Sequence, residues 1–255
     1  ESMFTKAIVK IPCENMIRGL TSVNLGIPNY LEALVQHQYY INALRKCGLE
    51  VTILDANEKY PDSTFVEDTA LLTPHCAIIT NPGASSRKGE IHEIKKILIN
   101  FYEMVEEIIE PGTLEAGDVM MVGAHYFIGL SERTNAQGAS QLISILNKYG
   151  MTGSAVSLKN VLHLKSGVSY LENNNLLVTG EFKYHPEFQK YNLILIDDKE
   201  KYAANSLWIN NNVLVPQGFP ITKSKIEVLG YQTIEVDVSE FRKLDGGLSC
   251  LSLRF

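Results

Sequence analysis

The sequence predicts an α/β ring of five strand–strand–helix–strand units, closed by the C-terminal strand. Three observations carry this. A unit of tight hairpin, amphipathic helix and final strand recurs along the 255 residues. Its hairpins share one length: Val119–Gly129, Tyr170–Gly180 and Trp208–Gly218. The first unit lacks an opening strand, which SCLSLRF at the C-terminus is placed to supply.

The first unit runs from KAIVKI through a loop to a helix over Asn29–Cys47, then Gly48 and EVTILD. The second has VEDTALLT, CAIIT, the helix GEIHEIKKILINFY and EEIIE, with Ile91, Ile94, Leu98 and Phe101 at helical spacing. In the third, AGDVMMVG and HYFIGL precede NAQGASQLISILNKYG and SAVSLK. Ala139, Leu142, Ile143 and Leu146 form its apolar stripe, with Asn135 as N-cap and Gly150 as stop. The fourth has GVSYLE, an Asn-rich turn, NLLVTG, a short helix HPEFQKY and NLILID. The fifth has SLWI, NNN, VLVPQG, a helix through TKSKIEVL ended by Gly230, and TIEVDV. Asn-rich turns between short apolar runs signal hairpins. Alternating strands and helices also suggest a doubly wound sheet, but all-parallel sheets have no tight hairpins. Closing the ring leaves no opening strand unpaired.

Composition narrows the functional classes. The chain is 45% apolar and 20% charged, enough to bury a sizeable core in one domain over residues 1–255. A net charge of −6 disfavours nucleic acid and anionic membrane as partners. No apolar run approaches the roughly 20 residues of a membrane helix, and the N-terminus lacks the shape of a signal peptide. Glu1 and Ser2, ahead of Met3, read as foreign to the natural chain. Cys13, Cys47, Cys76 and Cys250 are widely spaced, which suggests neither a zinc site nor a disulfide framework; free thiols and a cytoplasmic location are expected.

If the units are equivalent, their opening residues converge on one axis. Those openings are FVED (Glu67, Asp68), LEAGD (Glu115, Asp118), VLHLKSG (His163), YAAN (Asn205) and LDGGLSC (Cys250). An axial pocket would then hold a nucleophile, a general acid/base and carboxylates able to grip a cation. Gly246 and Gly247 would allow close backbone approach and unusual dihedrals beside Cys250. Taken singly, each residue has an ordinary reading: Cys250 as apolar filler, His163 as a satisfied core histidine, Glu67 and Asp68 as a solvated loop. His37, His75, His92, His125 and His185 look like surface or turn positions.

PDSTFVEDT (61–69), PGTLEAGDVMMVG (111–123), SERTNAQGA (131–139), VLHLKSGVSYLENNNLLVTGEF (161–182), YAANSLWIN (202–210) and LDGGLSCLSLRF (244–255) together resemble the dimethylarginine dimethylaminohydrolase family, in its bacterial form. The resemblance spans nearly the whole chain. It implies the guanidine-modifying superfamily and its five-fold pseudosymmetric α/β propeller, or pentein. It also implies hydrolysis of Nω-methylated arginine to citrulline and a methylamine, without metal or other cofactor. By position, Cys250 resembles the nucleophile and His163 the general acid/base, with Glu115 and Asp68 gripping the guanidinium and Glu67 supporting them. Arg87 and Arg133 resemble a clamp for the α-carboxylate. Asp62 and the loop around Leu20 resemble the α-amine contact and a lid. The implied partner is a small cationic amino acid, and the implied assembly a monomer or homodimer. Arginine deiminases, amidinotransferases and agmatine deiminases of the superfamily are longer. Another guanidine substrate, or a catalytically silent guanidine-binding protein, remains an alternative.

Overall fold

Residues 3–255 are described in a computed structural model; Glu1 and Ser2 lie outside the described residues. The first unit contains β1 (Lys6–Lys10), α1 (Tyr30–Lys46) and β2 (Glu50–Leu54). The second has β3 (Ala70–Leu72), β4 (Ala77–Ile79), α2 (Ile91–Leu98) and β5 (Val105–Glu107). The third has β6 (Val119–Val122), β7 (His125–Leu130), α3 (Ala136–Lys148) and β8 (Thr152–Ser157). In the fourth, a one-turn helix α4 (Leu164–Gly167) leads to β9 (Val168–Tyr170), β10 (Asn175–Val178) and β11 (Asn192–Leu195). The fifth has β12 (Leu207–Ile209), β13 (Asn212–Pro216), α5 (Pro220–Val228) and β14 (Gln232–Val236), followed by α6 (Ser239–Arg242) and β15 (Leu253–Arg254).

Each unit forms a three-stranded sheet whose middle strand pairs antiparallel with the first and parallel with the third. β15 completes the first sheet, antiparallel to β1, with Ala7 opposite Arg254 and Ile8 opposite Leu253. This is the expected five-fold pseudosymmetric α/β propeller. The middle strands are buried along most of their length, because helices cover one face and the axis the other. Positive φ at Glu172–Asn174 and at Asn210–Asn211 forms the hairpin turns of the fourth and fifth units.

Three local expectations are corrected. α2 ends at Leu98, so Phe101 is not on its buried stripe; it is exposed and packs edge-on against Phe255. The fourth unit has no helix over HPEFQKY, only 3₁₀ turns at Gly180–Phe182 and Pro186–Phe188. His37 is buried on α1 between Tyr40 and Phe241, and burial pushes its imidazole down to about 4.

A short helical turn precedes the opening strand of every unit: Val66–Thr69, Ala116–Asp118, Leu164–Gly167, Asp198–Ala204 and Ser249–Leu251. Hydrogen bonds link these turns around the axis. Asp68 Oδ1 accepts from the Gly117 N–H at 2.9 Å, and Asp118 Oδ1 from the Leu164 N–H at 3.0 Å. Asn205 donates to the Lys165 carbonyl at 2.9 Å and accepts from the Ser249 N–H at 3.0 Å. Ser249 Oγ donates to Glu67 Oε1 at 3.0 Å, closing the circuit. Three of these side chains, Asp68, Asp118 and Asn205, play one part: a residue at or beside the C-terminal end of one turn accepts a backbone N–H of the next.

Candidate active site

Cys250 lies in the last of these turns, half-buried, with the Gly247 N–H 3.4 Å from Sγ. A Cβ on Gly246 would stand 2.3 Å from the Phe65 ring, and one on Gly247 2.7 Å from Asn205 Oδ1. Both glycines therefore serve close approach, as expected. The left-handed conformation sits one residue earlier, on Asp245 at φ 63°, and not on either glycine.

His163 caps α4 from an extended backbone and faces the same space as Cys250. Its Nε2 is 2.9 Å from Glu115 Oε1. Glu115 is fully buried, and it also accepts from Arg133 Nη1 at 3.1 Å and from the Ala84 N–H at 3.1 Å. Its carboxylate thus holds His163 and Arg133 from a buried position next to the cavity. Asp68 does face the cavity, beside Asp62 and Arg133.

Arg87, expected in the clamp, stands on the cavity wall with Arg133 but has other partners as well. It is buried, bridging Asp68 at 2.6 Å and Glu90 at 2.9 Å, and it donates to the Phe65 carbonyl. It edges the cavity, but its guanidinium is largely committed to these partners. Arg133 is more open, with its side chain 18% exposed. Asp62 accepts the Leu20 N–H at 3.1 Å, tying the loop after residue 18 to the pocket. Ser22 of that loop donates through N–H and Oγ to Asp245 at 2.6 and 3.0 Å. The loop is thus latched to the segment that carries Cys250. Glu67 lies on the other side of Cys250, held by Lys165 at 2.8 Å, Arg254 at 2.7 Å and Ser249.

Electrostatics follow from this gathering of carboxylates. Burial pushes the Cys250 thiol up, and Glu67 and Asp68 add to the shift, to about 12; the Gly247 N–H and Lys165 pull the other way. Burial opposes charge on His163, but Asp68, Asp118 and Glu115 outweigh it and raise the imidazole to about 9. Asp68 overcomes its own burial through His163 and Arg87 and is held down at about 2. At neutral pH the site holds a neutral thiol beside an imidazolium. A histidine only partly charged, as its ordinary value suggests, is not what this environment produces.

A family model described as N,N dimethylarginine dimethylhydrolase, eukaryotic, matches residues 28–179. The chain is 55% identical over 254 residues to N(G),N(G)-dimethylarginine dimethylaminohydrolase of Pseudomonas aeruginosa, covering 99% of this chain and 100% of that protein. The chain belongs to the dimethylarginine dimethylaminohydrolase family. A solved structure of the Pseudomonas aeruginosa protein, a cysteine-to-serine variant complexed with citrulline, superposes with a TM-score of 0.99 at 54% identity and full coverage of both chains. A histidine-to-glycine variant of a dimethylarginine dimethylaminohydrolase, as its adduct with S-methyl-L-thiocitrulline, gives 0.98 at 54% identity, covering 99% of this chain and 100% of that one.

Within this family frame, Lys165, Glu90 and Asp245 are site residues that sequence reasoning left without a role, and Asp118 was placed only among the axial carboxylates. Asp118 carried a signal, since it occupies the position of Asp68 in the next unit. Asp68, Glu115 and His163 bring ligand atoms within 4.8 Å of one another, a spacing that would suit a metal ion. The donor set does not fit one: Arg87 and Arg133 already neutralise the carboxylates, and the imidazole is held protonated.

Proposed function

We propose that this chain hydrolyses Nω-methylated L-arginine, asymmetric dimethylarginine and monomethylarginine, to L-citrulline and a methylamine. The observation that carries the reading is a single cavity wall shared by Cys250, His163 and Asp68. A guanidinium is a planar cation with a fork of donors, and Asp68 is a buried acceptor at the right place to receive it. The α-amine end would lie toward Asp62 and Leu20, and the α-carboxylate toward Arg133.

The resting charges fit this chemistry. A cation entering beside Asp68 offsets the carboxylates around the sulfur, so the thiol loses its proton to solvent. Sγ bonds to the guanidinium carbon. His163 gives its proton to the departing nitrogen, the C–N bond breaks and neutral amine leaves. A covalent S-alkylthiouronium remains, with His163 now neutral. His163 takes one proton from a water molecule as its oxygen bonds to the carbon. The C–S bond breaks, its electron pair returns to sulfur, and the second water proton passes to sulfur. Citrulline, thiol and imidazolium result.

Four free cysteines support a reducing, cytoplasmic setting, and among the described residues no helix is long and apolar enough to cross a membrane. We expect the ring to act as one domain, as a monomer or homodimer. The test is citrulline release from asymmetric dimethylarginine by purified protein and by Cys250→Ser. Turnover by the former and none by the latter is expected. Citrulline from Cys250→Ser, or from neither protein with any methylated arginine, would overturn the reading.

A further inference from the structure

A second polar cavity, about 370 Å³, lies at the C-terminal ends of β1 and β2, against the first turn of α2. Small-molecule sites occupy roughly 300–1,000 Å³. None of the residues around Cys250 and His163 lines it. Glu90 forms part of its wall, with both carboxylate oxygens turned to Arg87 at 2.9 Å. The cavity therefore sits behind the arginine that holds Asp68, and not in the space where the chemistry would occur.

Its polar groups are unevenly matched. Ser63 is 3% exposed and lines the cavity, and its hydroxyl has no hydrogen-bond partner. Buried hydroxyls are nearly always paired, so one left open on a cavity wall calls for a partner inside the cavity. Lys10 is buried too. Its ammonium donates to the Asp55 carbonyl and to Glu93 Oε2, both at 2.7 Å, which leaves one of its three N–H groups uncommitted. Lys59 and Lys96 stand exposed at the rim, and neither has an ion-pair partner among the described residues. The acceptors, by contrast, are largely engaged. Glu90 serves Arg87, Glu93 serves Lys10, and Asn57 Oδ1 takes the Lys59 N–H at 3.0 Å.

Open donors and an excess of cationic groups select an anion. Lysines act as compact point charges, and no open arginine fork is present to match a planar carboxylate. A tetrahedral phosphate suits such a set, since its oxygens can take the Ser63 hydroxyl and several ammonium groups at once. We propose that this cavity binds a small phosphorylated molecule, with the phosphate against Ser63 and Lys10 at the buried end and Lys59 and Lys96 pairing with it from the rim. The site is independent of the reaction proposed above.

The experiment is isothermal titration of the purified protein at low ionic strength with inorganic phosphate and, as a monoester, glycerol 3-phosphate. The expected result is one-to-one binding of both. Ser63→Ala, and Lys59→Gln combined with Lys96→Gln, should each weaken it by roughly 10- to 100-fold, the loss of a charge-assisted hydrogen bond. Arg133→Ala, altered in the other cavity, should bind as the unaltered protein does. Melting temperature identifies the folded variants, and the exposed lysines carry the test if Ser63→Ala does not fold. Absence of binding by both probes would overturn the proposal. So would affinity unchanged in folded Ser63→Ala or in the double lysine variant, binding of inorganic phosphate without the ester, or loss of binding in Arg133→Ala, which would place the anion among the arginines of the active site.

Discussion

Arg87 carries its charge between Asp68 and Glu90, whereas Arg133 keeps part of its guanidinium open to the cavity. The two arginines should therefore respond differently to removal. Arg133→Ala should weaken methylarginine far more than an alkylguanidine lacking a carboxylate, by roughly 10- to 100-fold for a charge-assisted hydrogen bond of about 1.5–3 kcal/mol. Comparing inhibition constants of the two ligands checks this. Arg87→Ala should instead leave two buried carboxylates uncompensated and destabilise the fold by about 3–5 kcal/mol, seen in denaturant unfolding. The sequence could not separate them. Glu90 is only three residues from Arg87, but Asp68 arrives from an earlier turn, and burial depends on both.

At the scale of elements, the short turns position the chemistry and the hairpins position the turns. Gly246→Ala would drive a methyl group into Phe65, 2.3 Å from its ring, and move the Cys250 turn. Turnover should fall while guanidinium affinity changes little, because Asp68 and Asp62 lie on other segments; kcat and ligand binding measured side by side test this. The hairpins were legible because Asn-rich sequence accepts positive φ, which a tight turn requires. The closing strand was legible because one unit lacked a partner. The fourth unit's helix was misread because its residues form only 3₁₀ turns around Pro186. His37 was misread because periodicity does not say which face of α1 meets α6, where Gln36 Nε2 donates to Ser239 Oγ at 2.9 Å. Cys250, His163, Asp68 and Glu115 were legible as a group, since equivalent points of a repeat must converge. The assignment of Glu115 to the histidine required the fold.

For the whole molecule, closure of the ring and the charge state of its centre are one matter. Removing residues 253–255 would strip β1 of its antiparallel partner, leaving only β2, and withdraw Arg254 from Glu67, so cooperative unfolding should weaken strongly and with it the site. Stability should also follow the axial charges. His163, raised from 6.5 to about 9, contributes stability that is full below pH 6.5 and lost as pH rises through about 9. Asp68, lowered from 3.8 to about 2, contributes above pH 3.8 and loses that contribution as pH falls through about 2. Unfolding free energy measured against pH should decline above 6.5, and His163→Asn should flatten that limb. The central claim is that the empty ring holds a neutral thiol which the cationic substrate turns into a nucleophile. The most direct measurement is the rate of iodoacetamide alkylation of Cys250 against pH in the free protein. The account predicts slow reaction near neutrality and a midpoint at or above the ordinary thiol value of 9.0. A midpoint below about 7 would contradict it and establish a resting thiolate–imidazolium pair.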